Sequence, residues 1–256
     1  MYNLAFVALL SACSLSIVCS PAGAQSISLH VVGQDIEPFY FLGKNGQVEG
    51  ALRNVMDSAC KKMEAKCTFE IAPFRRSLAM LEEGTADVTA PLAKLPDREH
   101  YIVFSSPVVR SGYTFFGASE NVKRIQRIED VRGMTVGVHS PSASERSLEK
   151  IKERLGAGFQ IAQETDVSVA LKKAQAQRYE VAYVNRDIGN VWIRQNKGTI
   201  VPANFLADEV LYRFGFSKKT SSASLTAKFE SAMDEMRSSG ELKKALEQYG
   251  LLLPSE

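Results

Sequence analysis

The chain has 256 residues, with 31 lysines and arginines against 29 acids, 45% hydrophobic residues and 23% charged ones. This is globular composition, with apolar material for one large or two modest domains, and it excludes a disordered or low-complexity chain. A net charge of +2 with no basic run longer than a pair (Arg75-Arg76 and Lys172-Lys173 are examples) gives no patch for nucleic acid.

Leu4 to Cys19 is almost wholly apolar or small and leads into Ala22-Gly23-Ala24. A short apolar core before small-x-small reads as a secretory signal over residues 1–24, cleaved after Ala24, although Met1-Tyr2-Asn3 lacks the usual basic residue. Leu10-Ser11-Ala12-Cys13 also resembles a lipobox, which would leave a lipid-anchored protein beginning at Cys13. A retained anchor is a third reading, against which the run is short for a span of about 20 residues. Export leaves Cys60 and Cys67, an even pair in an oxidising compartment. They are either bridged, helix to following strand, or two unpaired buried thiols. No nearby His or second Cys pair completes a zinc site.

Along the chain, residues 27–32 alternate as a strand, and Asn45-Gly46 marks a turn. Leu52, Val55, Met56, Ala59 and Met63 recur at helical spacing, followed by a strand over 68–72. Pro73 opens a helix that Gly84 ends, and 86–90 is a short strand. Residues 103–107 and 113–116 are extended. The same grammar then repeats: strand 135–138, a Ser-rich loop 139–144, helix 145–155, strand 160–163, helix 167–177 and strand 181–184. A strand returns near 211–216, and the tail is helical. Strands alternating with helices predict an α/β fold of parallel βαβ units, in two tandem sets.

The order of these signals resembles the bacterial extracellular solute-binding proteins of the polar-amino-acid type, family 3. The resemblance rests on Glu37-Pro38-Phe39, Gly46-x-x-x-Gly50, Leu81-Glu82-Glu83-Gly84-Thr85-Ala86-Asp87, Arg98-Glu99-x5-Ser105-Ser106-Pro107, 130–138 and Gly240-Glu241-Leu242-x6-Tyr249-Gly250. The Cys60–Cys67 spacing matches a disulfide of some members. The resemblance implies a two-lobe periplasmic-binding-protein-like fold, each lobe a mixed or parallel sheet flanked by helices, joined by a two-strand hinge. Lobe 1 would be discontinuous, 25–112 plus 215–256, with 113–214 as lobe 2. It further implies a periplasmic, monomeric protein without cofactor or metal that closes over a small ligand and delivers it to an ABC transporter permease.

In that family an arginine of the first lobe grips a carboxylate, an aspartate of the second lobe grips an ammonium, and an aromatic wall supports the middle. Arg98 takes the arginine's place, and its fork suits a carboxylate. Phe74 takes the wall, Ser142 the place of a second-lobe threonine, and Asn185 the place of the aspartate. A neutral amide is a weaker partner for an ammonium than a carboxylate. Asp187 would substitute only if its strand continued that far. The Ser or Thr usual before the arginine is replaced by Ala90-Pro91-Leu92-Ala93. Arg76, at a helix start where cations are unfavourable, adds to the case for an acidic ligand, and Glu37 and Tyr40 edge the first loop. The expectation is an organic acid or amino-acid-like solute. Alternative readings are an enzyme on the same fold, resembling cyclohexadienyl dehydratase, and a ligand-sensing partner of a membrane receptor. The three histidines are far apart, and no nucleophile elbow, Walker loop or H-E-x-x-H occurs.

Overall fold

A computed structural model describes residues 27–254; the expected signal segment and the lipobox Cys13 lie outside them. Chain order runs β1 (Ser28–Gly33), β2 (Phe41–Leu42), β3 (Val48–Glu49), α1 (Ala51–Lys62), β4 (Lys66–Ile71), α2 (Phe74–Glu83), β5 (Val88–Ala93), β6 (Ile102–Phe104) and β7 (Val109–Gly117). It continues with α3 (Ser119–Val122), β8 (Thr135–His139), α4 (Ala143–Arg154), β9 (Gln160–Glu164), α5 (Val167–Gln175), β10 (Val181–Asn185) and α6 (Arg186–Asn196). The last elements are β11 (Val201–Pro202), β12 (Asp208–Ser217), α7 (Ala223–Ser238) and α8 (Glu241–Glu247).

One ten-stranded sheet follows the path β4-β1-β5-β12-β7-β10-β8-β9, with β6 added to β12 and β11 to β7. At one end β1 is parallel to β4 and β5; at the other β8 is parallel to β9 and β10. The join is antiparallel: Asp208–Tyr212 of β12 pairs with 109–113 of β7. Each of these strands then departs to its own half, β12 onto β5 and β7 onto β10.

The apolar core divides at the same place. Two clusters take their buried side chains from 29–109 and 214–251, among them Leu52, Met56, Phe214, Phe229 and Leu81. Two others take theirs from 113–203, among them Phe115, Val136, Leu148, Leu171 and Trp192. Each sheet half is therefore packed mainly by its own helices, and the β7–β12 ladder runs from one to the other.

Local chemistry accounts for the boundaries. Gly84 ends α2 in the left-handed region at φ 78°, which glycine adopts without a Cβ clash. Gly50, at φ 120°, opens α1 where a Cβ would meet the Phe39 carbonyl at 2.5 Å. Cys60 on α1 is bridged to Cys67 on β4, Cα atoms 6.3 Å apart, so the unpaired-thiol reading falls.

Asn45-Gly46 turns the short hairpin β2–β3, as its turn signal implies. Two local expectations need correction. The helix expected over 145–155 is α4, which starts at Ala143 because Ser142 caps it, its Oγ accepting from the Glu145 N–H at 3.0 Å, and ends at Arg154. The second is α6, absent from the sequence reading. Its strand stops at Asn185, so Asp187 sits in a first helical turn rather than along an extended strand.

Candidate functional site

Ligands of open α/β sheets gather beyond the carboxyl ends of parallel strands. Here those ends are the loop 34–40 after β1, the start of α2 after β4, the segment to Arg98 after β5, the start of α4 after β8 and the start of α6 after β10. The two halves meet across these ends. Gln195 of α6 donates from Nε2 to the Glu37 carboxylate, and Ile188 of α6 packs on the first half's core.

Arg98 is the outstanding side chain at these strand ends. It is only 8% exposed, in a short 3-10 turn behind Pro96, with its guanidinium carbon 5.2 Å from the Phe74 ring centroid. Its one side-chain hydrogen bond among the described residues is Nη1 to the Ala93 carbonyl at 3.1 Å, and no carboxylate lies within ion-pair distance. Burial is the first cause pushing its pKa down; the Asp97 carboxylate and then Tyr101 oppose it, and Arg146 adds a smaller repulsion. Arginine does not give up its proton. The outcome is a desolvated cation with a planar donor fork short of acceptors. Phe74, half-buried at the start of α2, faces that fork as the expected aromatic wall does.

The other expected residues divide. Arg76 is exposed on α2 beside Arg75, neither paired with a carboxylate among the described residues, and α2 has no acid in its first turn. Ser142 stands at the α4 start, but its hydroxyl is occupied: it caps Glu145, donates to the His139 carbonyl and contacts Ser144 Oγ at 2.8 Å. Glu37 is engaged by Gln195.

Two expectations are overturned. Tyr40 is fully buried in the first half's core, its hydroxyl donating to the carbonyls of Val31 (3.1 Å) and Glu70 (3.2 Å), and burial pushes its pKa far up. It is a core tyrosine with its polar tip satisfied. Asn185 is 4% exposed and spent on the fold. Its Oδ1 accepts from the Asp187 and Ile188 N–H groups (3.0 and 3.3 Å), capping α6. Its Nδ2 donates to Ser111 Oγ at 2.8 Å and reaches Tyr212 Oη at 3.5 Å. Ser111 in turn donates to the Asp187 carboxylate at 2.6 Å, which Arg186 also meets at 3.2 Å. This buried network ties β7, β10, β12 and α6 where the halves join. Neither Asn185 nor Asp187 is left as a second-half partner for an ammonium.

Residues missed from sequence include Arg146, Gln195 and Glu145. Arg146 follows Ser142 by four positions and shares its helix face, a signal that was legible. Glu145 is 8% exposed, and its carboxyl is held below the usual range first by the Ser140 hydroxyl and then by Gln163 Nε2, against burial. A separate groove of about 240 Å³ between β6 and α7 lies apart from the strand ends, and its Glu230 already accepts from the Ser106 N–H. Among the described residues, no group of three or more His, Cys, Asp or Glu is placed to hold a metal ion, and no helix is long and apolar enough to cross a membrane.

Residues 30–251 match the family described as bacterial extracellular solute-binding proteins, family 3. The chain is 26% identical to the "Probable amino-acid-binding protein YxeM" of Bacillus subtilis, over 96% of this chain and 91% of that protein. It is 24% identical to the arginine-binding extracellular protein ArtP of Bacillus subtilis, over 92% and 90%. Among solved structures, the probable amino-acid ABC transporter extracellular-binding protein ytmK of Bacillus subtilis superposes with a TM-score of 0.81, at 19% identity, covering 88% of this chain and 98% of that one. An ancestral amino acid-binding protein, a precursor of cyclohexadienyl dehydratase, superposes at 0.71 with 19% identity, covering 87% and 94%. The α/β fold is that of these binding proteins, and the chain belongs to the bacterial extracellular solute-binding proteins, family 3.

Proposed function

We propose that this protein is exported to the periplasm, captures a small carboxylate-bearing solute between two lobes, and delivers it to an ABC transporter permease without chemical change. Lobe 1 is 25–112 with 215–256, lobe 2 is 113–214, and the β7–β12 ladder is the hinge. The observation that carries this reading is Arg98: buried, backed by Phe74 and without a carboxylate partner. A buried cation is retained where a counter-charge completes it. A ligand that meets both lobes favours the closed form by its differential affinity for that form. The transport role is supported by the family and by the name of the ytmK protein.

The ligand differs from that in ArtP's name. An arginine solute would bring a further cation to a site already holding Arg98, with Asn185 and Asp187 spent on the join between the halves. An enzyme reading draws on the dehydratase precursor's likeness, which concerns fold; a positioned acid is what it would need. Small molecules released by denaturing the purified protein, identified by mass spectrometry, test the proposal. A carboxylate is expected from wild type and none from Arg98→Ala. Equal recovery from both would refute capture at Arg98.

A further inference from the structure

We propose that Glu37 and Gln195 form a latch that draws the two lobes together without the solute, so that part of the closed state is stabilised by the chain itself. The inference rests on the two-lobe reading and adds to it a contact that acts before any solute arrives.

The helix α6 begins at the buried join and touches both halves. Its cap, Asn185, belongs to the network with Ser111 and Tyr212. Gly189 and Trp192 face the second half, Gly189 against the Phe116 ring and Trp192 in the cluster with Leu171. Ile188 and Gln195 lie two turns apart, and so on one helix face. That face meets the first half: Ile188 packs on its core, and Gln195 donates from Nε2 to the Glu37 carboxylate. Among the described residues this is the one side-chain hydrogen bond between the halves that uses no residue of the β7–β12 ladder.

Glu37 is held in place for the contact. The Ile36 carbonyl accepts from the Phe39 and Tyr40 N–H groups at 2.9 and 3.0 Å, and the Ile36 N–H donates to the Tyr40 carbonyl at 2.7 Å, which closes the turn around Glu37. Glu37 makes no ion pair among the described residues, and neither do Arg194 and Lys197 beside Gln195. The acceptor is therefore charged and the donor neutral, a bond stronger than one between neutral groups. Gln195 is exposed, so water competes for its amide, and the contact biases the lobes rather than locking them. A bias toward the closed form raises the apparent affinity for a solute that binds that form.

The test is pulsed electron spin resonance of the ligand-stripped full mature chain, with nitroxides on Lys44→Cys of the first half and Lys150→Cys of the second, both exposed. The otherwise native protein is compared with Gln195→Ala, Gln195→Glu and the exchanged pair Glu37→Gln/Gln195→Glu, each checked for native circular dichroism. Gln195→Ala should lower the ratio of closed to open distances about 3- to 10-fold, the loss of one charge-assisted hydrogen bond in water. Gln195→Glu sets two carboxylates together and should lower it further. The exchanged pair restores one amide donor and one carboxylate acceptor, and should bring the ratio back to within about twofold of the native one. Two populations in the same ratio in all four proteins, or an exchanged pair as open as Gln195→Glu, overturns the latch alone; capture at Arg98 is read separately by solute release. A single fixed distance in all four overturns the latch together with movement at the hinge in the ligand-free chain.

Discussion

Replacing Asn185 separates a structural amide from a ligand contact. Asn185→Ala removes the acceptor that caps α6 at Asp187 and Ile188 and the donor that Ser111 receives. An N-cap is worth about 1 kcal/mol, and a buried neutral hydrogen bond about as much. The sum of about 2 kcal/mol is set against a chain of this size, for which each kcal/mol moves the midpoint by roughly 2–4 °C. Thermal unfolding of the ligand-free protein should therefore drop by roughly 4–8 °C. Asn185→Asp keeps the capping oxygen at a helix start that favours negative charge, but loses the donor and sets a second carboxylate beside Asp187. It should fall less than the alanine variant if the cap dominates. An unchanged midpoint for Asn185→Ala, with solute binding lost, would refute the structural assignment and return Asn185 to the ligand.

Tyr40→Phe should lower stability by about 1–2 kcal/mol, since the hydroxyl serves two buried carbonyls, while leaving solute affinity within twofold; calorimetry showing a large loss of affinity would contradict its placement in the core. Removing the Cys60–Cys67 bridge by paired serine substitution should cost about 2–3 kcal/mol from loop closure over a separation of seven residues, read by urea unfolding; equal curves with and without the bridge would contradict it. The Glu145 carboxyl titrates below its ordinary range because the folded state stabilises its charged form. That contribution is fully present above the unfolded-state value of about 4.3 and is lost as pH falls through the lower folded value. Glu145→Gln should therefore flatten the acid side of the stability–pH curve below about pH 5, and parallel curves for the two proteins would contradict this.

The fold was legible because its units are short and strongly patterned. The alternation of 27–32, the helical spacing from Leu52 to Met63 and the Gly84 stop recur as β1, α1 and the end of α2. What escaped was set by tertiary contacts. The helix α6 carries Gly189, whose missing Cβ lets it lie against the Phe116 ring; in isolation that glycine argues against a helix. Its start is marked by Asn185 at the cap and Asp187 in the first turn, signals that compete with the place of Asn185 in the resemblance, where a ligand contact is expected. The site was half legible. Arg98 and Phe74 follow from their place in the resemblance and do meet. Tyr40 was misjudged because a loop residue near a crevice and a tyrosine folded back under β1 look alike in sequence; only the carbonyls of Val31 and Glu70 distinguish them.

A crystal structure of the ligand-stripped protein soaked or grown with glutarate tests the central claim directly. The account predicts one carboxylate on the Arg98 guanidinium over Phe74, with the solute enclosed between the strand ends of the two halves. A ligand bound elsewhere, or within that crevice with the Arg98 fork still lacking an acidic partner, would contradict it.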